Sequence, residues 1–205
     1  MQTNLWSISS LVVMVFLMGA AIQRLLETFS PRRIVPGQKK MGWSFHAFFW
    51  LHTIIMIGSL FEYLLLRREL DWRWSVLGLI AYVGSVVLRN VAIRTLGQFW
   101  SLHIEIRSQH QIVREGVYKF VRHPAYSAII LEVLSIPLTV NSWWMMIFAT
   151  LTYIPILLLR LKNEEAALVE KFGEQYRQYQ KEVGALVPRW AQLRRWVCRC
   201  PFSDS

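Results

Sequence analysis

The chain has 205 residues, 54% of them hydrophobic, with ten tryptophans and a formal net charge of +10. A water-soluble domain of this length must turn polar faces outward, so this composition excludes one. The two cysteines, Cys198 and Cys200 in the terminal "CRCPFSDS", exclude a disulfide framework and form no zinc set. They read as an ordinary reduced tail, or as lipidation sites beside a membrane.

The apolar residues come in long blocks. Residues 5–26 carry no charge before Arg24. The opening "MQTNLWSISS" offers no positive n-region and the apolar run exceeds a signal h-region, so this segment is expected to stay as an anchor. Trp43–Leu66 is charged only at Glu62, and residues 75–88 carry no charge. A bilayer core takes roughly 20 helical residues, a length the third block reaches if it runs on through Ile93. Residues 124–140 are shorter and interrupted by Glu132 and Pro137. They pair with residues 143–161 as a tight hairpin through "TVNSWW". The expectation is an all-α integral membrane protein with about five transmembrane helices.

Charge orients the chain. "ETFSPRRIVPGQKKMGW" carries Arg32, Arg33, Lys39 and Lys40 with one acid, while the N-terminus and the residue 140–144 turn have no charge. Residues 94–122 and the tail from Arg160 are basic. Basic segments in the cytoplasm put the N-terminus outside and the C-terminus inside. The weak point is "RRELDWRW", whose arginines are only partly balanced by Glu69 and Asp71. Trp6, Trp43, Trp72, Trp74, Trp143 and Trp144 fall at block ends, as interfacial anchors do. The positive charge therefore reads as topology and attraction to anionic membrane lipids, with no nucleic-acid partner indicated.

Between the third and fourth helices, Gly97, Gly116 and Pro124 predict loop with short turns. After residue 161, Ala167, Leu168, Phe172, Tyr176 and Tyr179 form an amphipathic stripe ended by Pro188. The plain reading is a helix lying on the lipid head groups. Asn163, Glu164 and Glu165 suit the first turn of a new helix, if one starts there. Three segments are expected: helices one to three over residues 1–93, a core over 94–190 and a basic cytosolic tail over 191–205. Glu132 is expected to face the bundle, protonated or hydrogen-bonded, in a structural role, because an acid in an apolar helix costs about 2.5–3.5 kcal/mol on insertion scales.

Few motifs carry chemistry. His103, His110 and His123 lie too far apart to suggest a metal site, and there is no HExxH, nucleophile elbow, P-loop or dinucleotide fingerprint. Two polar clusters stand at cytoplasmic helix ends and can converge. One runs from His110 to Tyr126; the other is Arg160, Glu164 and Glu165. Arg160 and Glu164 are four apart, which stacks them on one face of a continuous helix. Each cluster also has a plainer reading: Arg160 snorkelling to the interface, and Arg122–His123 adding cytoplasmic charge.

The segments "HQIVREGVYKFVRHPAYSA" and "RLKNEEAALVEKFGEQYRQYQKEVGALVP", together spanning roughly residues 94–190, resemble the isoprenylcysteine carboxyl methyltransferases. "RHPxY" alone is shared with phospholipid methyltransferases and membrane sterol reductases; the two halves in order and register are more specific. Ala128 departs from a usual glycine, and Glu132 is outside the pattern. The resemblance implies S-adenosylmethionine as cofactor, bound on the cytosolic side by the loop before helix four and the C-terminal helical segment. It implies cofactor contacts from His103, His110, Gln111, Ile112, Val113, Tyr118, His123, Pro124, Ala125, Tyr126 and Glu164, with Arg160 toward the methyl acceptor. No residue is expected to act as an acid or base, and no metal is expected. The acceptor implied is a prenylcysteine-like carboxylate. A phospholipid amine N-methyltransferase and an NADPH-dependent sterol-type reductase stay open as alternatives, as does a non-catalytic membrane scaffold.

Overall fold

The computed structural model describes residues 8–29, 38–40, 43–66, 69–97, 104–106 and 112–189. Six helices account for most of them: α1 (Ile8–Phe29), α2 (Trp43–Leu66), α3 (Trp72–Leu96), α4 (Pro124–Thr139), α5 (Trp143–Phe172) and α6 (Glu174–Glu182). Four stretches, Ile8–Thr28, His46–Leu66, Trp72–Leu96 and Trp143–Phe172, are long and apolar enough to cross a membrane. The shorter α4 is the most enclosed element, with nine of its 16 residues buried. A helix sheathed by other helices need not match the lipid thickness by itself.

The helices turn their apolar residues both ways. Val13, Leu17 and Ala20 of α1 pack against Tyr63 of α2, Tyr82 of α3 and Ile136 of α4. Ile8, Val15, Met18 and Leu26 of the same helix are exposed. In lipid such exposure costs nothing, so close packing and polar contacts must hold the helices together. Gly78 shows the packing limit: a Cβ there would lie 2.6 Å from the Thr139 backbone nitrogen, so its absence is what lets α3 and α4 approach.

The α4–α5 hairpin closes at residues 140–142, as expected, with Asn141 in a left-handed conformation (φ 58°). Its side chain accepts from the Asp71 N–H at 2.8 Å and donates to Ser75 Oγ at 2.9 Å. Glu62 of α2 accepts from the Trp144 and Met145 N–H groups, capping α5 across the helix pair. The capping explains a carboxylate at the end of an apolar block. Near this turn Trp72, Trp74 and Trp144 are exposed, and Trp74 meets Trp143 edge to face. Trp6, Cys198 and Cys200 lie outside the described residues.

Three features differ from the sequence reading. No new helix starts at Asn163: α5 runs for 30 residues to Phe172, passing through Pro155, and ends at Gly173 with φ 54°. At 1.5 Å per residue it is about 45 Å long, so its last turns stand clear of a bilayer core of about 30 Å. The amphipathic stripe is not a face laid on lipid, because Tyr176, Tyr179 and Val183 pack inward against Ile112, Leu168, Val169 and Phe172. Finally, the loops hold a small antiparallel ribbon, β1 (Gln38–Lys40) with β2 (Ile104–Ile106), tying the stretch after α1 to the stretch after α3.

Candidate functional site

Two joints bring the polar clusters together. The first is backbone pairing: the Arg122 and His123 N–H groups donate to the Gly184 and Ala185 carbonyls, each at 2.9 Å, and Ser127 Oγ donates to the Leu186 carbonyl. Gly184 is required here, since a Cβ would overlap the Val187 carbonyl oxygen at 1.9 Å. The second is Arg122, which donates twice to Glu165 Oε1, at 2.9 and 2.6 Å, and also to the Gln180 and Val183 carbonyls. Glu165 additionally meets His123 Nε2 at 3.2 Å and Gln180 Nε2 at 3.2 Å. The residue between loop and helix is thus an ion-paired clamp on α5 and α6, in line with a structural role for Arg122.

One turn further along α4, Tyr126 joins the other pair. Its hydroxyl donates to Glu164 Oε2 and accepts from Arg160 Nε at 2.9 Å. Arg160 Nη1 donates to Ser44 Oγ of α2 at 3.1 Å, and its guanidinium lies 5.7 Å from the Phe48 ring and 5.9 Å from the Tyr126 ring. The His123 and Tyr126 rings are nearly parallel, 8° apart with centroids at 5.6 Å. Glu164 Oε1 lies 3.8 Å from His123 Nδ1, and its side chain is 30% exposed, whereas Arg160 is 6% exposed. A carboxylate at the rim and a guanidinium one turn deeper therefore meet at a single phenol.

Around them three phenols are kept neutral. Burial, reinforced by the charge of Glu164, pushes Tyr118 up; burial, reinforced by Glu165, does the same for Tyr176. Burial also pushes Tyr179 up to about 12, against the opposing charges of Arg122 and Arg114. Tyr179 donates to the Tyr118 carbonyl at 2.6 Å and Tyr118 toward the Ala92 carbonyl at 3.5 Å, while the Tyr176 hydroxyl lies 3.5 Å from His123 Nε2.

The structure thus gathers Tyr126, His123, Glu164 and Arg160. Val113, Tyr118 and Ala125 pack with Ala92 and Leu96 in an apolar wall against α3, Ile112 packs on Tyr176 and Tyr179, and Pro124 is buried as the first residue of α4. His103, His110 and Gln111 lie outside the described residues. Among the described residues no three His, Cys, Asp or Glu side chains gather as a metal-holding group. Ser44 and Phe48 were not legible as neighbours of Arg160, because they stand more than a hundred positions away on a helix with no motif.

The donor set suits a ligand with one cationic end and one anionic end. Glu164 offers a half-open carboxylate to an ammonium or to hydroxyls, and His123 with Tyr126 offers flat aromatic surface. At the start of α4, Pro124 has no N–H and the Tyr126 and Ser127 N–H groups donate to the His123 carbonyl, so it is the helix dipole that favours a carboxylate there.

Residues 76–170 match the profile of the Isoprenylcysteine carboxyl methyltransferase (ICMT) family. Protein-S-isoprenylcysteine O-methyltransferase B of Arabidopsis thaliana is 33% identical over 147 residues, covering 67% of this chain and 73% of that protein. The uncharacterized protein YpbQ of Bacillus subtilis (strain 168) is 31% identical over 121 residues, covering 58% and 71% respectively. Among solved structures, the eukaryotic intramembrane Ras methyltransferase ICMT superposes with a TM-score of 0.62 at 28% identity over 67% of this chain. The match spans 52% of that enzyme, so this chain corresponds to about half of its length. With the spanning helices and the sequence kinship in agreement, the protein is an integral membrane protein that belongs to the isoprenylcysteine carboxyl methyltransferase family.

Proposed function

We propose that the protein transfers a methyl group from S-adenosylmethionine to the carboxylate of a lipid-modified acceptor of the prenylcysteine type. The site faces the cytoplasm, the N-terminus lies outside and the C-terminus inside. The observation that carries this reading is the Arg160–Tyr126–Glu164 chain at the end of the membrane-spanning part of α5. It sets a buried cation beside a rim carboxylate, one suited to a greasy anion and the other to a polar cofactor. Membership of the family and the names of the relatives support the reaction class.

When bound, S-adenosylmethionine supplies an electrophilic methyl group on a sulfonium. Glu164 would hold its cationic or hydroxyl-bearing part, His123 and Tyr126 would wall its ring, and the dipole at the α4 N-terminus would favour its carboxylate. Arg160 orients the acceptor carboxylate, with Ser44 and the Phe48 and Tyr126 faces fixing the plane of the guanidinium. A terminal carboxyl group with an ordinary pKa of ~3.5 is already ionised near neutral pH, so no side chain has to remove a proton. Positioning carries the catalysis: the reacting groups must be brought into line. A site walled by Phe48, Tyr126 and Leu157 keeps water away as the opposite charges cancel. The acceptor reaches this lip sideways from the bilayer, the cofactor from the aqueous side.

The test is transfer of labelled methyl from S-adenosylmethionine to prenylcysteine acceptors by the purified protein in detergent. The reading predicts label that mild base releases as an ester. Base-stable label indicates an amine acceptor, and absence of transfer to any carboxylate acceptor sinks the reading.

A further inference from the structure

Deeper in the bundle, side chains from all five long helices meet around Glu132 of α4. Glu132 is 1% exposed; its Oε2 pairs with Arg89 of α3 and lies 3.7 Å from Arg24 of α1. Arg89 also holds Glu27 of α1 at 2.6 Å. Two guanidinium groups and two carboxylates balance, so the charges leave no call for a further ion. On the other side of Glu132 stand His52 of α2 and Tyr153 of α5, with ring centroids 6.5 Å apart. His52 Nε2 is 3.8 Å from Glu132 Oε1, beyond hydrogen-bond length.

This leaves polar atoms in the interior that no described group reaches. They are Glu132 Oε1, both ring nitrogens of His52 and the Tyr153 hydroxyl, with Gln23 Nε2 and Glu27 Oε1 nearby. Tyr153 is 0% exposed and His52 3%. Their other neighbours are apolar: Phe48, Ile55, Val133 and Leu157 cluster with Tyr153. Buried polar groups in proteins are nearly always satisfied, and lipid chains cannot satisfy them.

We propose that the space between His52, Glu132 and Tyr153 is a water-binding site inside the membrane-spanning bundle. The hydrogen-bond accounting favours water over other ligands. A phenol donates, a neutral imidazole donates at one nitrogen and accepts at the other, and a carboxylate oxygen only accepts. A water on the Nε2 edge of His52 accepts from that nitrogen and from the phenol and donates to Glu132 Oε1, while Nδ1, on the opposite edge of the ring, calls for a second water. An anion would meet Glu132, and a cation would add to a cluster already neutralised by Arg24 and Arg89. The site is independent of the methyl-transfer reading and stands or falls without it.

Radiolytic hydroxyl-radical footprinting of the wild-type protein in nanodiscs tests it, because radicals born from bound water modify the side chains touching that water. After correction for intrinsic reactivity, His52 and Tyr153 should be modified several-fold faster than Ile55 and Leu157, which are equally buried at 1% exposure in the apolar cluster. Modification of His52 and Tyr153 no faster than of Ile55 and Leu157 overturns the proposal.

Discussion

Arg89 and Arg160 are both almost fully buried arginines on spanning helices, at 4% and 6% exposure, yet they are held by different chemistry. Arg89 is closed between two carboxylates, Glu27 and Glu132. The described contacts of Arg160 are a serine hydroxyl, a phenol and two aromatic faces. Carboxylates cancel a guanidinium charge; hydroxyl dipoles and ring faces aim it. The first arrangement pairs opposite charges across helices; the second, joining α5 to Ser44 of α2 and Tyr126 of α4, fixes how the guanidinium lies. The location of each follows: Arg89 faces Glu132 well inside the bundle, whereas Arg160 sits one turn before the partly exposed Glu164.

The comparison breaks most visibly at Arg89. Arg89→Leu should strand Glu27 and Glu132 and destabilise the fold by about 3–5 kcal/mol, read by unfolding in detergent. Adding Glu132→Leu to it should recover part of the loss, since the two act as a unit. Recovery of nothing would mean the pair is not coupled. Glu164→Gln sharpens the other side: losing a charge-assisted hydrogen bond worth about 1.5–3 kcal/mol should weaken S-adenosylmethionine binding roughly ten- to a hundredfold by calorimetry. Fold stability should barely move, because Glu164 stands at the rim.

Gly78→Ala acts between the two regions. Its methyl group meets the Thr139 backbone, so α3 must shift off α4 and carry Arg89 away from Glu132. The expected cost is about 1–3 kcal/mol in stability, with cofactor affinity unchanged per folded molecule. The smallest effect belongs to Tyr126→Phe. It removes the hydroxyl shared by Arg160 and Glu164, about 0.5–1.5 kcal/mol of hydrogen bonding. A several-fold loss should appear in both cofactor affinity and acceptor KM. A loss confined to one of them would show that the shared phenol does not join the two halves.

Much of this was legible in the sequence. Trp43–Leu66 emerges with the bounds its apolar block indicates, and the "TVNSWW" turn and the inward-facing Glu132 follow from hydropathy and the cost of a buried acid. Arg160 and Glu164 could be placed on one face from their spacing alone. The partners of Glu132 could not, because Arg89, Arg24 and His52 come from three other helices and pairing across 43 or more positions leaves no local pattern. The inward turn of α6 was hidden for a related reason. Tyr176 and Tyr179 suit a lipid surface as well as a protein one, and only the Arg122–Glu165 clamp decides between them. The β1–β2 ribbon, at three residues a strand, is too short for alternation to show.

The central claim is that α5 divides its labour within one turn, with Glu164 serving the cofactor and Arg160 the acceptor. Arg160→Lys tests it most directly, since lysine keeps the charge but loses the planar fork that Tyr126 and Ser44 hold. Calorimetry with S-adenosylmethionine and methyl-transfer assays on the same preparation should show cofactor affinity within about twofold of wild type, under 0.5 kcal/mol, and turnover sharply reduced. Loss of cofactor binding with normal folding would contradict the division and place Arg160 in the cofactor site instead.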